Sequence, residues 1–308
     1  MDFLNNEATI DLNRYIKKYG CYYEFLKKIE DDIPIFNDDQ IKFLKYLSKF
    51  IPLVRHYEYN IIKILLYGKK TYDQLLSQMN SIENFNENKF NHALNNLMNM
   101  YYSKKEQENM INYVKLIDNH YQIINVNLNE ALIEHVNDLL DYGLTKFNVD
   151  FYGVTTDLKL YYTYTRSSLL QVLCNHTFAS REGLIWNNGE LYIFIDLKKD
   201  LSKEKHLLFD DKFISSKVLQ WESSTKTTLD NSIGQKIINQ RYVHVFVRKI
   251  KIEDGIVMPY IYIGKGELTN PRKSKNPKDS LLFDVVLENE VPDYLKYDFE
   301  IEDEDDYE

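Results

Sequence analysis

The chain has 308 residues, of which 44% are hydrophobic, so it can bury a sizeable core, and its length suggests two domains. No apolar run approaches the roughly 18 residues that span a bilayer, and residues 1–12 (MDFLNNEATIDL) are acidic and polar where a signal peptide would be basic and then apolar. We therefore expect a soluble, cytoplasmic protein that neither spans nor binds a membrane. Cys21 and Cys174 stand far apart and outside any CxxC pattern, which supports neither a disulfide framework nor a structural zinc site.

The formal net charge of -9 is unevenly distributed. Residues 1–150 hold 17 Lys/Arg and 21 Asp/Glu, residues 151–296 hold 21 and 18, and residues 297–308 hold 8 acids and no base. The acidity therefore lies mainly in the last segment, which we predict to be a solvated, disordered tail. The second half is mildly basic, which is compatible with binding to a nucleic acid.

The first half shows helical periodicity. Residues 38–51 (DDQIKFLKYLSKFI) predict a helix whose start is favoured by Asp38 and Asp39. Three more helices are then predicted, with a two-stranded hairpin after them that turns at Asn119–His120. They cover residues 60–68 (NIIKILLYG), 71–79 (TYDQLLSQM, opened by Thr71), 86–100 (NENKFNHALNNLMNM) and, for the hairpin, 112–126 (NYVKLIDNHYQIINV).

This order is typical of a winged helix, a fold that binds DNA through its third helix. The predicted third helix carries only Lys89 and His92 as cationic candidates. Since phosphate contacts by Lys and Arg dominate such binding, a plain connector domain is the favoured alternative. A further amphipathic helix over residues 128–147 is predicted to end near Gly143 or shortly after.

The second half changes to a period of two. Six strands are predicted, at 190–198, 206–214, 217–224, 241–252, 257–268 and 280–288, with short helices at 165–173 and 231–240. We predict an α+β protein: a helical, winged-helix-like domain over residues 1–150, an antiparallel, barrel-like domain over 151–296, and the acidic tail over 297–308.

Six sequence blocks in this half occur in the order and spacing of one family. They are residues 162–173 (YTYTRSSLLQVL), 207–224 (LLFDDKFISSKVLQWESS), 234–240 (GQKIINQ), 244–249 (HVFVRK), 259–266 (PYIYIGKG) and 283–292 (FDVVLENEVP). Residues 160–295 resemble the C-terminal domain of bacterial helicase-nuclease proteins, notably the SauUSI-type type IV restriction enzymes. That domain looks like an SRA (SET and RING associated) module, which recognises 5-methylcytosine in DNA.

The resemblance implies an SRA/PUA-type fold, recognition of modified cytosine by base flipping, and double-stranded DNA as the partner. It also implies a longer parent protein whose helicase and nuclease domains are further partners, with the helical half as the connector. This sequence departs from the family where Glu222 follows Trp221 and where Phe209 replaces a common tyrosine.

A protein that recognises a flipped base holds its faces between aromatic or apolar groups and bonds its Watson-Crick edge. Trp221 or Phe209 can form the wall, Asp211 or Asp210 can accept from the cytosine amino group, and Gln220 and Ser223 can bond the remaining edge, with Tyr164 as a further candidate. Alternation along the strand puts Leu219, Trp221 and Ser223 on one face and Gln220 and Glu222 on the other. The Trp221 face points either into a core or into a concave pocket.

The candidate contacts to the DNA backbone are basic. Arg166 falls in the first turn of a predicted helix that Thr165 can cap, where a cation opposes the helix dipole; we therefore expect a phosphate or a buried carboxylate as its partner, or a structural ion pair. The densest basic segment is a proline-broken loop, which is either a DNA contact or a solvated loop. The other cations are Arg272, Lys273, Lys275 and Lys278 in this loop, extended by Lys217, Lys226 and Lys236.

Motifs for catalysis are missing. The sequence has no P-loop, no DEAH-like box and no HxK pair of a phospholipase D nuclease, and His176, His206 and His244 form no HxH or HExxH spacing. We therefore expect no enzymatic activity from this chain alone, no cofactor and no metal. The alternative function is an interaction scaffold that couples a helicase motor to other domains without recognising a modified base.

Overall fold

The computed structural model describes residues 12–175, 183–198, 209–224, 227–275 and 280–302. The chain forms two compact units: a helical unit of Met1–Thr155 and Ser167–Phe178, and a sheet unit of Thr156–Arg166 and Ala179–Glu308. After its first passage into the sheet unit, the chain thus returns to the helical unit for a short segment, described over residues 167–175. The sequence prediction had placed this segment with the strands.

The helical unit contains, in chain order, α1 (Leu12–Tyr19), α2 (Tyr22–Leu26), α3 (Asp38–Ser48), α4 (Tyr57–Leu65), α5 (Tyr72–Met79), α6 (Glu87–Leu97), α7 (Lys104–Glu108), β1 (Val114–Ile117), β2 (His120–Ile123) and α8 (Glu130–Asp150). Helix α5 starts at a capping box, in which the Thr71 side chain accepts from the Gln74 amide and the Gln74 side chain accepts from the Thr71 amide.

Helices α4 to α6 and the β1–β2 hairpin have the order of a winged helix. A short bridge joins Lys70, between α4 and α5, to Tyr121 of β2, with backbone N–O distances of 3.0 and 2.8 Å. The hairpin turns at Asp118 and Asn119, whose φ angles are 47° and 61°. The predicted turn at Asn119–His120 is therefore one residue too late, because both left-handed positions precede β2.

Helix α8 continues to Asp150, three residues beyond the predicted range of 128–147, whose end was placed near Gly143 or shortly after. Gly143 lies inside the helix where it meets α4, and a Cβ atom there would stand 2.5 Å from Cε2 of Tyr59. The glycine permits a close approach of two helices and does not terminate one.

A buried ion pair links α4 to the returning segment. Arg55 and Glu58 are 5% and 1% exposed, Arg55 Nε lies 2.9 Å from Glu58 Oε2, and Arg55 Nη1 donates to the carbonyl of Gln171. Asn96 of α6 donates to the same carboxylate at 3.0 Å. Burial raises the pKa of Glu58, but the Arg55 guanidinium and these hydrogen bonds outweigh it and lower that pKa overall.

The sheet unit and the crossing segment contain β3 (Thr163–Tyr164), α9 (Arg166–Val172), β4 (Leu184–Asn187), β5 (Glu190–Asp196), β6 (Lys212–Phe213), β7 (Val218–Glu222), α10 (Ser232–Ile238), β8 (Tyr242–Arg248), β9 (Ile252–Glu253), β10 (Ile256–Val257), β11 (Tyr260–Lys273), β12 (Leu281–Leu287) and α11 (Asp293–Phe299). Strands β9 and β10 form a separate hairpin.

The main sheet has eight strands in the order β4-β5-β8-β11-β12-β7-β6, with β3 paired to β11. All neighbours are antiparallel except β5 and β8. That pair can be parallel because the chain between them, residues 197–241, is long enough to cross over. The predicted α+β architecture with a mostly antiparallel sheet is confirmed; in the described residues, the end strands β4 and β6 do not pair with each other.

The end of the fold differs from the prediction. Helix α11 runs to Phe299, which is 2% exposed and packs in the sheet unit's core, and Ile301 packs against the same core. The prediction of a disordered tail from residue 297 is therefore wrong as far as residue 302, because apolar residues alternate with the acids. Residues 303–308 lie outside the described part.

Strand alternation gives the main sheet two different faces. One face forms the apolar core, which includes Ile193, Leu219, Trp221, Val245 and Phe283. The opposite face, here called the second face, carries an aromatic half on β5, β8 and the start of β11, and a polar half on β7, β12 and the end of β11. The aromatic half comprises Tyr192, Phe194, His244, Phe246, Tyr260 and Tyr262, and the polar half comprises Gln220, Glu222, Arg272 and Asp284.

Candidate functional site

The polar half of the second face is organised around Gln220 of β7. The side-chain nitrogen Nε2 of Gln220 donates to the Asp210 carbonyl at 2.7 Å and to Asp210 Oδ2 at 3.0 Å. The side-chain oxygen Oε1 accepts from Arg272 Nη2 at 2.9 Å. Arg272 Nη1 also lies 2.8 Å from Asp284 Oδ1. Every polar group of Gln220 is thus directed by a partner, which fixes the orientation of the network.

The outer groups of this network are accessible. Gln220 itself is buried, but the side chains of Asp210 and Arg272 are 61% and 33% exposed. Lys212 Nζ lies 3.5 Å from Asp210 Oδ1 and is also exposed. The surface therefore presents a carboxylate acceptor next to Lys212 and joined through Gln220 to Arg272, and these are the groups that bond the amino group and the acceptor atoms of a base edge.

Behind the accessible groups lies a buried carboxylate. Glu222 is 4% exposed; its Oε2 accepts from the Asp210 amide at 2.6 Å, and its Oε1 accepts from Ser274 Oγ at 2.6 Å and from Ser280 Oγ. The Glu222 amide donates to Asp211 Oδ1 at 2.7 Å. The sequence prediction placed Glu222 beside Gln220 but gave it no role.

Trp221 lies on the opposite face, so its proposed place as a pocket wall beside Asp210 and Gln220 needs correction. The indole is 4% exposed and stacks on Phe283, with ring centroids 5.5 Å apart. Ser223 is fully buried on the same side, where its Oγ accepts from the Leu281 amide at 2.9 Å. The core interpretation describes both residues, because the face shared with Leu219 packs inward.

The other pocket candidates are dispersed. Tyr164 is 1% exposed and its hydroxyl accepts from the Lys159 amide at 2.8 Å; burial raises its pKa to about 12. Asp211 is half-buried and bonds the β7 backbone as described above. Phe209 is half-buried and precedes Asp210 in the chain. Of the seven pocket candidates, the structure brings Asp210, Asp211 and Gln220 together.

Arg166 belongs to the aromatic half of the second face. Its guanidinium lies 4.5 Å from the centre of the Phe194 ring, and burial, with Arg248 nearby, lowers its pKa. Arg248 forms two bonds with Asp196, at 2.6 and 3.0 Å. Asp196 acts on the Arg166 pKa in the opposite direction, but its bonds of 2.6 and 3.0 Å go to Arg248, so the expected partner of Arg166 stays a prediction.

His244 is embedded in the same half. Its ring stacks on Tyr192 at 4.4 Å and its Nδ1 lies 2.9 Å from the Tyr262 hydroxyl. Burial lowers the pKa of His244, although Glu190 at 3.4 Å acts in the opposite direction. The alternation of aromatic residues on β5 and β8 was a sequence signal that could have identified this cluster.

The predicted DNA-backbone cations do not form one patch in the described residues. Lys217 donates to the Glu288 carbonyl at 3.0 Å, and Lys236 of α10 lies 3.8 Å from the Trp186 ring centre. Lys273 and Lys275 are exposed next to Arg272. Lys226 and Lys278 lie outside the described residues, so the described part of the predicted basic loop is Arg272, Lys273 and Lys275.

The winged-helix order does not give helix α6 the cations of a DNA-recognition helix. His92 is 3% exposed, its ring stacks on Tyr101 at 4.5 Å, and its Nε2 lies 3.3 Å from the Asn175 carbonyl. One of the two predicted cationic candidates is therefore inaccessible, which leaves Lys89.

The described residues contain no group of three or more His, Cys, Asp or Glu side chains arranged to hold a metal ion. Nor does any described helix have the length and apolar character needed to cross a membrane.

Comparison with known proteins assigns a family profile to each half. Residues 158–299 match the profile of a domain of unknown function, DUF3427, and residues 1–149 match that of another, DUF8090. No curated protein matches the chain. Among solved structures, the chain is similar to the SUVH5 SRA domain in a complex with fully methylated CG DNA, at 17% identity over 42% of this chain and 90% of that one. The TM-score of 0.28 is too low to equate the two folds.

Proposed function

We propose that the sheet unit is a DNA-binding module that recognises cytosine modified in the manner of 5-methylcytosine. The observation that carries the proposal is the oriented network of Asp210, Gln220 and Arg272, in which an exposed carboxylate and an arginine side chain that is one-third exposed are joined through Gln220. The resemblance of the six sequence blocks to a family of modified-DNA binders supports the same conclusion.

The chemistry of a cytosine edge fits these groups. Cytosine offers an amino donor at N4 and acceptors at N3 and O2, so a carboxylate must meet the amino group and a cationic donor must meet an acceptor. Asp210 supplies the acceptor, and Arg272 or Lys212 supplies the donor. Since Trp221 is in the core, Phe209 is the aromatic candidate that remains next to the carboxylate for stacking on an extruded base.

The wider role follows from the same resemblance. We propose that the chain is the target-recognition part of a modification-dependent, type IV restriction or phage-defence enzyme, whose helicase and nuclease domains lie on a longer parent protein. On this proposal the chain alone neither cuts DNA nor hydrolyses ATP and needs no cofactor. Nucleotide turnover that co-purifies with the chain through several orthogonal steps would contradict that part.

Two substitutions test the network. Asp210→Asn removes the anionic acceptor and Arg272→Ala removes the donor that orients Gln220, and each is expected to lower affinity for methylated duplex DNA roughly 5- to 150-fold, the range of about 1–3 kcal/mol for one good base contact. Arg241→Ala is the matched control, since Arg241 is an exposed cation paired with Glu267 on the same sheet.

The results distinguish recognition from general electrostatics. Asp210→Asn makes the protein less acidic, so simple charge attraction predicts tighter binding, whereas recognition predicts weaker binding. If all three variants bind like the parent, the polar half is not the DNA contact. If the parent does not bind DNA at all, the scaffold function becomes the better account.

A further inference from the structure

The buried carboxylate of Glu222 occupies a junction between two separate parts of the chain. On one side it accepts from the amide of Asp210, the exposed acid of the proposed site. On the other side it accepts from the hydroxyls of Ser274 and Ser280. The described partners of this carboxylate are one amide and two hydroxyls, so hydrogen bonds compensate its desolvation.

The two serines mark the two ends of the basic loop. The Ser274 amide donates to the Ser280 carbonyl at 2.8 Å, which closes the base of the loop. Both serines are buried, at 7% and 0% exposure, whereas Lys273 and Lys275 on either side of Ser274 are exposed. Lys273 and Lys275 therefore lie on a loop stem, formed by Ser274 and Ser280, that hydrogen bonds to the buried Glu222 hold in place.

The geometry points to Glu222 as a positioning residue that holds the basic loop stem in register with Asp210, so that backbone contacts and base-edge contacts meet one DNA duplex at the same time. This inference rests on the proposed function and deepens it. Glu222 itself touches no DNA, since it is buried behind Asp210. Its effect passes through Ser274 and Ser280 to the lysines of the stem.

Three variants separate this role from a general effect of charge or folding. Glu222→Ala removes all three bonds. In Glu222→Gln, the amide oxygen can accept from the Asp210 amide while the NH₂ group donates to the serine hydroxyls, which can accept as well as donate. Glu267→Ala is the control, because it also removes one negative charge from the same sheet while leaving the junction intact.

Hydrogen exchange tests the structural half without DNA. In Glu222→Ala, the amide of Ser274 is expected to exchange at least tenfold faster than in the parent, while the central amides of β8 stay protected. Glu222→Gln is expected to retain protection within about threefold. Equal protection of Ser274 in Glu222→Ala and in the parent would overturn the inference, whatever the protein does with DNA.

DNA binding tests the functional half. For methylated duplex DNA, Glu222→Ala is expected to weaken binding about tenfold and to reduce the slope of log K against log salt by roughly 1 to 2, the change for one or two lost phosphate contacts. Glu222→Gln should bind like the parent, and Glu267→Ala should bind at least as tightly. If the parent binds but Glu222→Ala retains its affinity and slope, Glu222 does not position the loop; if the parent itself does not bind, the proposed function fails instead.

If Glu222→Ala does not fold, Ser280→Ala still tests the inference. Ser280→Ala removes one donor from the loop side, keeps the carboxylate and adds no group to the core. It is expected to show the same direction of change in Ser274 exchange and in salt slope, with a smaller size. If Ser280→Ala changes neither quantity, the stem is held by other contacts and the inference is overturned.

Discussion

Replacing Trp221 with Ala tests whether the two faces of the main sheet have the roles assigned to them. The indole is 4% exposed and stacks on Phe283 within the apolar core, whereas Gln220 and Glu222 point to the other face. Truncating a buried tryptophan typically costs about 3–5 kcal/mol, a large part of the roughly 5–15 kcal/mol that stabilises a domain. At a few degrees per kcal/mol, the midpoint of thermal unfolding should fall by roughly 10–20 °C.

The assay can isolate the sheet unit. The chain has two tryptophans, Trp186 and Trp221, and both lie in that unit, so intrinsic fluorescence follows its unfolding alone. Trp186→Ala is the matched control: this side chain is half-buried on β4, beneath Lys236, and its loss should lower the midpoint by clearly less. Trp221→Phe should also be milder, because it keeps a ring against Phe283.

The refuting result concerns binding as well as stability. If Trp221→Ala unfolds at the same temperature as the parent but loses affinity for methylated DNA, the indole contacts a base and the face assignment is wrong. If instead the variant melts low but, at a temperature where it is still folded, binds DNA within about threefold of the parent, Trp221 is a core residue.

The remaining predictions concern the helical unit. Burial lowers the pKa of His56 to about 4, and its Nδ1 lies 3.1 Å from the Asn60 amide nitrogen, so the folded protein holds the neutral ring. Since the unfolded chain binds the proton more tightly, the contribution of His56 to stability is fully present above pH 6.5 and is lost as the pH falls from about 6.5 towards 4. His56→Asn should reduce the dependence of the thermal unfolding midpoint on pH over that range. An unchanged dependence would contradict the assignment. Gly143→Ala should destabilise the unit by about 1–3 kcal/mol in urea unfolding, because a Cβ atom there would stand 2.5 Å from Tyr59. The control is Gly183→Ala in the sheet unit, where the nearest contact of an added Cβ atom would be at 3.8 Å; it should be nearly neutral, and equal losses in the two variants would refute the packing argument.

The sequence predicted most of the architecture because its signals are local. Period-two alternation located β5, β7, β8, β11 and β12, and a capping box located the start of α5. The missed elements have weak local signals. Strand β4 is four residues long, and α11 is an acidic helix whose Pro292 N-cap makes no side-chain bond. Its membership of the core depends on Phe299 packing against distant strands.

The site was predicted less well for a related reason. Alternation correctly put Trp221 and Gln220 on opposite faces, but it could not tell which face was the core. Gln220 and Glu222 are 8% and 4% exposed, which is unusual for such residues. They are buried because Arg272 and two serines, some fifty residues away in the chain, satisfy their polar groups. A single sequence does not reveal such long-range pairs.

The central claim is that the sheet unit distinguishes modified from unmodified cytosine in DNA. The most direct measurement is an equilibrium titration of the whole chain with two duplexes of identical sequence, one carrying 5-methylcytosine, at several salt concentrations. The account predicts tighter binding of the methylated duplex by roughly tenfold or more, with parallel salt slopes, because the phosphate contacts are the same in both. Equal affinity for the two duplexes across several flanking sequences would contradict it.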